Sequence, residues 1–130
     1  MIVVDASALL EVLLRTETAA DVERRLFGPG QTLHAPHLLD VEVAQAIRRY
    51  AANHKIVGER GREALADLAD LPIRRYPHDF LLPRIWELRH NLTAYDAVYV
   101  ALAEELGATL VTRDRRLAAA GGHSAQIVVV

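Results

Sequence analysis

A chain of 130 residues with 52 % apolar composition is long enough to bury a core without disulfides or a structural metal, and too apolar to be disordered. It has no cysteine, which suits a reducing compartment, and its formal net charge of −2 argues against a broadly basic nucleic-acid binder. The N-terminus, MIVVDASALLEVLLRTE, has an acid at position 5 and no basic lead-in, and no apolar run approaches the roughly 20 residues of a membrane span. A soluble cytoplasmic protein with no membrane partner is expected.

MIVVD reads as a buried strand, a continuous apolar run that stops at Asp5. SALLEVLLR follows with helical spacing of Leu9, Leu10, Leu13 and Leu14, and TAADVERRLF predicts a second helix closed by Gly28-Pro29-Gly30. QTLHAP is a short second strand. HLLDVEVAQAIRRYAANHK predicts a long amphipathic helix whose buried stripe is Leu39, Val43, Ala46, Ile47 and Tyr50. GERGREALADLADL predicts another helix, Pro72 precedes a strand, IRRY, and residues 79–90 predict a helix carrying Trp86. Thr93 opens a further helix that ends at Gly107, before the strand ATLVT. A helical turn after Asp114 runs to Gly121-Gly122, and AQIVVV is the last strand. This alternation predicts one α/β domain over residues 1–130, with a mostly parallel central sheet of about five short strands flanked by helices.

In such a sheet ligands bind beyond the carboxyl ends of the strands, and that rule gathers four acids. Asp5 ends the first strand and Asp114 follows the fourth. The helix 93–106 leads into that fourth strand and so runs antiparallel to it, which brings Asp96, in its first turn, back to the same edge. Glu42 lies near the start of the helix that leaves the second strand, on the margin of its buried stripe. Each acid has a simpler explanation: Asp96 as part of a capping box with Thr93, Asp114 as a helix cap, Glu42 as a partner of Arg49. Asp5 resists one, because it terminates an apolar strand in a fold that buries both sheet faces. Four acids at one edge would repel, and a divalent cation removes the conflict; hard oxygen ligands select Mg²⁺ or Mn²⁺.

Ser7 and Thr112 flank this cluster and suit a supporting role, against the alternatives of helix capping and ordinary strand preference. His34 and His37 have chelating spacing, but Pro36 lies between them and no third ligand is evident. Neither a GxGxxG nor a Walker sequence is present. Of the 15 basic residues only Lys55 is a lysine, and the arginines occur in small groups, Arg113, Arg115 and Arg116 beside the acidic edge.

The stretches MIVVDASALLEVLL, HAPHLLDVEVAQAIRR and LTAYDAVYVALAEELGATLVTRDRRL, in that order, resemble the PIN-domain ribonucleases of the VapC toxin type. The likeness spans essentially the whole chain and implies a PIN-like fold. Carried over by position, it places the family's acidic site on Asp5, Glu42, Asp96 and Asp114 and its small hydroxyl positions on Ser7 and Thr112. It further implies a Mg²⁺- or Mn²⁺-dependent endoribonuclease that forms a homodimer and is held inactive by a cognate VapB-type antitoxin. Metal-assisted phosphodiester hydrolysis would use Asp5, Asp96 and Asp114 as ligands, with Glu42 either ligating or orienting water. Arg113, Arg115 and Arg116 would hold the RNA backbone. For protein partners, the apolar residues around Leu9–Leu14 and Ile47–Tyr50, together with Trp86, are the expected surface. Two other readings compete: a catalytically silent binding domain, and a receiver-like phosphoacceptor domain, which would need an acidic pair and a lysine at the site.

Overall fold

The five expected strands form in the computed structural model, which describes residues 1–130: β1 (Ile2–Val4), β2 (Leu33–Pro36), β3 (Ile73–Tyr76), β4 (Thr109–Thr112) and β5 (Ile127–Val129). They pair in the order β3-β2-β1-β4-β5, all parallel, with Ile2 opposite both Leu33 and Thr109. β1 is central. The chain steps outward from it through β2 to β3, then crosses back to place β4 on its other side. The strand order therefore reverses between β1 and β4, the point at which open parallel sheets form clefts at their carboxyl ends.

The helices are α1 (Ala6–Leu13), α2 (Ala19–Leu26), α3 (Leu38–Ala52), α4 (Gly58–Asp70), α5 (Leu82–Glu87), α6 (Ala94–Leu106) and α7 (Arg115–Ala119). The single helix expected over 79–90 is instead a 3₁₀ turn (Asp79–Leu81) followed by the short α5, which has Pro83 in its first turn. That proline has no N–H to give and is tolerated only near a helix start, so the helix begins beside it. Thr93 caps α6, and Gly107, at φ +62°, ends it in the left-handed conformation that glycine adopts without strain.

Residues Ala97–Ala103 of α6 are buried without a break. This helix packs on β1, β2 and β4, while α5 and the 3₁₀ turn cover it from outside, so it has no solvent face over that stretch. The side chains of α1 and α3 meet each other as well as the sheet, with α2 and α4 packed beside them. Gly61 of α4 permits this closeness, since a Cβ there would stand 2.9 Å from Cγ2 of Ile47. Leu9, Leu13 and Ile47 are consequently core residues and not the open apolar patch expected from their number. Trp86 is 66 % exposed, as expected of a surface anchor, and Arg89 stacks its guanidinium 4.5 Å from the ring centroid. No helix is long and apolar enough to cross a membrane.

Candidate active site

Asp5 leaves β1 in an extended conformation and is itself the N-cap of α1, so Ser7 is not the cap. Its Oδ1 accepts from the Ala8 N–H at 3.0 Å and from the Ser7 hydroxyl at 2.7 Å, and its Oδ2 accepts from the Thr112 hydroxyl. Thr112 is wholly buried at the end of β4, and its Oγ1 also accepts from the Asp114 N–H at 3.0 Å. The Ser7 hydroxyl accepts from the Arg113 N–H at 2.9 Å. The two hydroxyls thus join the ends of the neighbouring strands β1 and β4 and orient Asp5 between them. Asp5 is only 7 % exposed. Burial lifts its pKa above the usual carboxylate range, the nearby Asp96 adds to the rise, and the three hydrogen bonds oppose it.

Asp96 lies one turn into α6, where its N–H donates to the capping Thr93 hydroxyl at 3.2 Å. Its carboxyl group is half-buried; burial and then Asp114 raise its pKa, against the Thr93 hydroxyl and Arg116. Asp114 caps α7 by accepting from the N–H groups of Arg116 at 2.8 Å and Leu117 at 3.4 Å. Both aspartates stand at helix starts, as their simpler explanations required, and both line the acidic cleft as well.

Glu42 does not pair with Arg49. Its Oε1 accepts from the Tyr99 hydroxyl at 2.5 Å, and Tyr99 is 2 % exposed. Burial raises the Glu42 pKa, with Asp96 and Asp5 adding to it. Burial and the adjoining carboxylate push the Tyr99 hydroxyl well above its ordinary value, so it remains a proton donor. Glu11 of α1 is a further acid of this cleft: hydroxyls of Thr16 and Thr18 and the Arg113 guanidinium overcome its burial and hold its pKa low. Tyr99 and Glu11 were not anticipated from sequence.

The four expected acids line one cavity of about 390 Å³. A second, of about 240 Å³, lies beside it and shares Asp96 and Asp114. A cavity of similar size, about 400 Å³, sits between α4 and β3, but its only charged groups, Asp40 and Arg75, form a two-point ion pair with each other. The arginines beside the site differ from one another. Arg113 is tied, its guanidinium donating to the Val130 carbonyl at 2.7 Å and lying 3.5 Å from Glu11. Arg115 is exposed, and the Arg116 side chain is 97 % exposed. The histidines do not form a metal pair: His34 is buried between the hydroxyls of Thr32 and Tyr76, and His37 faces outward.

The donor set suits a hard divalent cation, being carboxylates and hydroxyls alone, with mutual repulsion that a cation would relieve. In this conformation no three acidic or histidine side chains meet closely enough to coordinate one ion. Asp5, Glu42 and Asp114 are each turned to a protein donor, so gathering three acids on one ion takes rotation of side chains.

The PIN domain family matches residues 2–122. Ribonuclease VapC9 of Mycobacterium tuberculosis is 47 % identical over 130 residues, which is 100 % of this chain and 98 % of that protein. The crystal structure of VapC20 of M. tuberculosis, a toxin that cleaves the sarcin-ricin loop, has the same fold: its TM-score is 0.71 at 16 % identity, over 92 % of this chain and 94 % of that one. VapBC2 of Rickettsia felis, bound to a promoter DNA fragment, aligns with a TM-score of 0.68 at 12 % identity, over 98 % of each chain. With nearly half of its residues matching a VapC ribonuclease from end to end, the chain belongs to the PIN-domain family as a VapC-type endoribonuclease, the toxin of a toxin–antitoxin system.

Proposed function

We propose that residues 1–130 act as one PIN domain that hydrolyses RNA phosphodiester bonds in the acidic cavity, with Asp5, Glu42, Asp96 and Asp114 as its catalytic acids. Asp5, Asp96 and Asp114 would hold Mg²⁺, for which Mn²⁺ can substitute. The observation that carries this reading is the coupling of the acids within one cavity: Asp5, Glu42 and Asp96 are each raised by burial and raised further by another member of the set. A divalent cation, when bound, neutralises charge on the scissile phosphate and lowers the pKa of a water.

The remaining work falls to the chain itself. Ser7 and Thr112 fix the direction of Asp5. Tyr99 holds one oxygen of Glu42 and leaves the other free to orient the attacking water and accept its proton. A raised carboxylate pKa brings that group nearer to neutrality, where a general base is most effective. As the water oxygen bonds to phosphorus, the ester bond opposite breaks and its oxygen leaves. Arg115, and Arg116, whose side chain is 97 % exposed and meets only Asp114 at 4.0 Å, are better placed than Arg113 to hold the RNA backbone. Protein partners, a second copy of the chain and a VapB-type antitoxin, are assigned to the exposed Phe80, Leu82 and Trp86.

The test is cleavage of single-stranded RNA with Mg²⁺, with Mn²⁺ and with EDTA. Activity should require the metal, and Asp5→Asn should lower the rate about 100-fold or more. Full activity in EDTA would overturn the proposal.

A further inference from the structure

The acidic cavity has a second chemical character at the far end of α3, and that end points to how RNA is held. Arg49 and Tyr50, in the last turn of α3, line the same cavity as Asp5, Glu42 and Asp96. They stand seven and eight positions beyond Glu42, which is about 10–12 Å along the helix. That separation suits the nucleotide next to the cut and not the scissile phosphate itself.

The charges make such a holding point necessary. The centre of the cavity is crowded with carboxylates, Glu11 included, and these repel a phosphate strand wherever a bound cation does not screen them. The strand must therefore be gripped at the ends. Of the two arginines lining this cavity, Arg113 is already committed to the Val130 carbonyl and Glu11. Arg49 takes part in none of the chain's ion pairs. Glu42, which might have neutralised it, is held by Tyr99 instead.

Beside Arg49, Tyr50 is half-buried and contributes to the cavity wall, although its position on the helix wheel marks it for the core. The turn after α3 folds back so that the Lys55 N–H donates to the Tyr50 carbonyl at 2.8 Å, and the Lys55 ammonium lies 5.9 Å from the ring centroid. The chain's one lysine thus stands over this ring. A ring with a lysine over it and an arginine beside it in the chain is the pairing of aromatic surface and positive charge that suits a nucleobase and its phosphates.

We propose that Arg49, Tyr50 and Lys55 form a nucleoside subsite: Tyr50 stacks on a base adjoining the cut, and Arg49 and Lys55 hold the phosphates on either side of it. The proposal rests on the RNA-cleaving reading above and adds the path of the strand. From this subsite the strand crosses Asp96 and Asp114 and leaves through the smaller cavity, past Asn91, Thr93 and Arg116.

The test reads binding and needs no cleavage, so its failure is separate from a failure of the catalytic reading. In an Asp96→Asn background, fluorescence anisotropy compares three labelled dodecamers: riboadenylate, ribouridylate and an abasic ribose-phosphate chain. Riboadenylate, the best stacker, should bind about tenfold more tightly than the abasic chain, with ribouridylate between them. Tyr50→Phe should keep that preference, and Tyr50→Leu, which retains apolar bulk without a ring, should bring the ratio close to one. Arg49→Gln should weaken all three probes by a similar factor and flatten the salt dependence by about 0.7 in the log–log slope, the contribution of one phosphate contact on a single strand. If Tyr50→Leu melts far below its parent, Tyr50→Trp replaces it, with the larger ring expected to increase the preference for riboadenylate. A preference that survives Tyr50→Leu, is lost in Tyr50→Phe or stays unchanged in Tyr50→Trp overturns the stacking assignment. Unchanged affinity and slope in Arg49→Gln overturns the phosphate assignment.

Discussion

Replacing Asp96 by asparagine separates a helix cap from a member of a metal-binding cluster. The cap of α6 is Thr93, whose hydroxyl accepts from the backbone N–H of residue 96, and Asp96→Asn leaves that bond in place. What it removes is one negative charge. The charge interacts favourably with the N-terminus of α6, worth about 0.3–1 kcal/mol. It also repels Asp114 and adds to the strain on Asp5 and Glu42. Each unit of pKa elevation corresponds to about 1.4 kcal/mol of unfavourable charging. Because Asp96 is only half-buried, solvent screening reduces the relief from its removal to on the order of 1 kcal/mol. The metal-free variant should therefore melt level with the wild type or a few degrees above it, at about 3–6 °C per kcal/mol for a domain of this size.

Mg²⁺ at about 100 times its Kd stabilises a protein by about 2.7 kcal/mol, a rise of about 10 °C here, and Asp96→Asn should forfeit most of it. The pH dependence supplies the sign. Asp5, Glu42 and Asp96 have folded-state pKa values above their ordinary 3.8, 4.5 and 3.8. Their contribution to stability is thus full below the unfolded values and lost as pH rises through the folded ones, so they should lower metal-free melting between mild acid and neutrality. Saturating Mg²⁺ should abolish that fall. Scanning calorimetry of both proteins, with and without Mg²⁺, measures all of this. An Asp96→Asn protein that melts lower without metal and keeps the whole Mg²⁺ shift would show Asp96 to be a cap alone.

Tyr99→Phe deletes the hydroxyl that holds Glu42, a hydrogen bond to a charged group worth about 1.5–3 kcal/mol, and should lower kcat about tenfold with little change in KM. An unchanged kcat would deny Tyr99 its positioning role. Glu104→Gln breaks a knot in which Glu104 accepts from Arg84 and from Ser124, joining α6, α5 and the segment before β5; it should cost on the order of 2 kcal/mol near neutral pH by thermal melting. The Arg84 guanidinium holds the Glu104 carboxyl down at about 2, so this stability is present above 4.5 and is lost as pH falls toward 2; an equal penalty at pH 2 and pH 7 would refute the assignment.

The legible parts of the fold and site were those that chain direction dictates. A parallel sheet forces every strand to end at one edge, so Asp5 and Asp114 could be placed from the residues where apolar runs stop. The helix preceding a strand must start at that same edge, which located Asp96. Family likeness then supplied the chemistry, and it removes the receiver-like alternative, since the single lysine, Lys55, lies against Tyr50 at the end of α3.

The partners of these residues were much less legible. Helical spacing gave the stripe of α3, and Leu39, Val43, Ala46 and Ile47 are buried as expected. Tyr50 is not, because a wheel records the direction of a side chain and not where the helix runs past the edge of what it covers. Arginines read alike in sequence whether free or bound, and Arg113 is bound by a carbonyl at the end of the chain, 17 residues away. Surplus leucines on α1 suggested an open patch because nothing in their spacing reveals that a neighbouring helix, and not solvent, lies on their far side. Tyr99 is the instructive omission, because a local signal was available. It lies three residues after Asp96 on the same face of a helix otherwise lined by Ala, Val and Leu, and a buried tyrosine there needs an acceptor for its hydroxyl. Among the acids gathered at that edge, Asp5 is held by Ser7, Ala8 and Thr112, and Asp114 caps α7. Glu42 has the length to reach across from α3 and no local N–H to satisfy it, and it is the acid that accepts that bond.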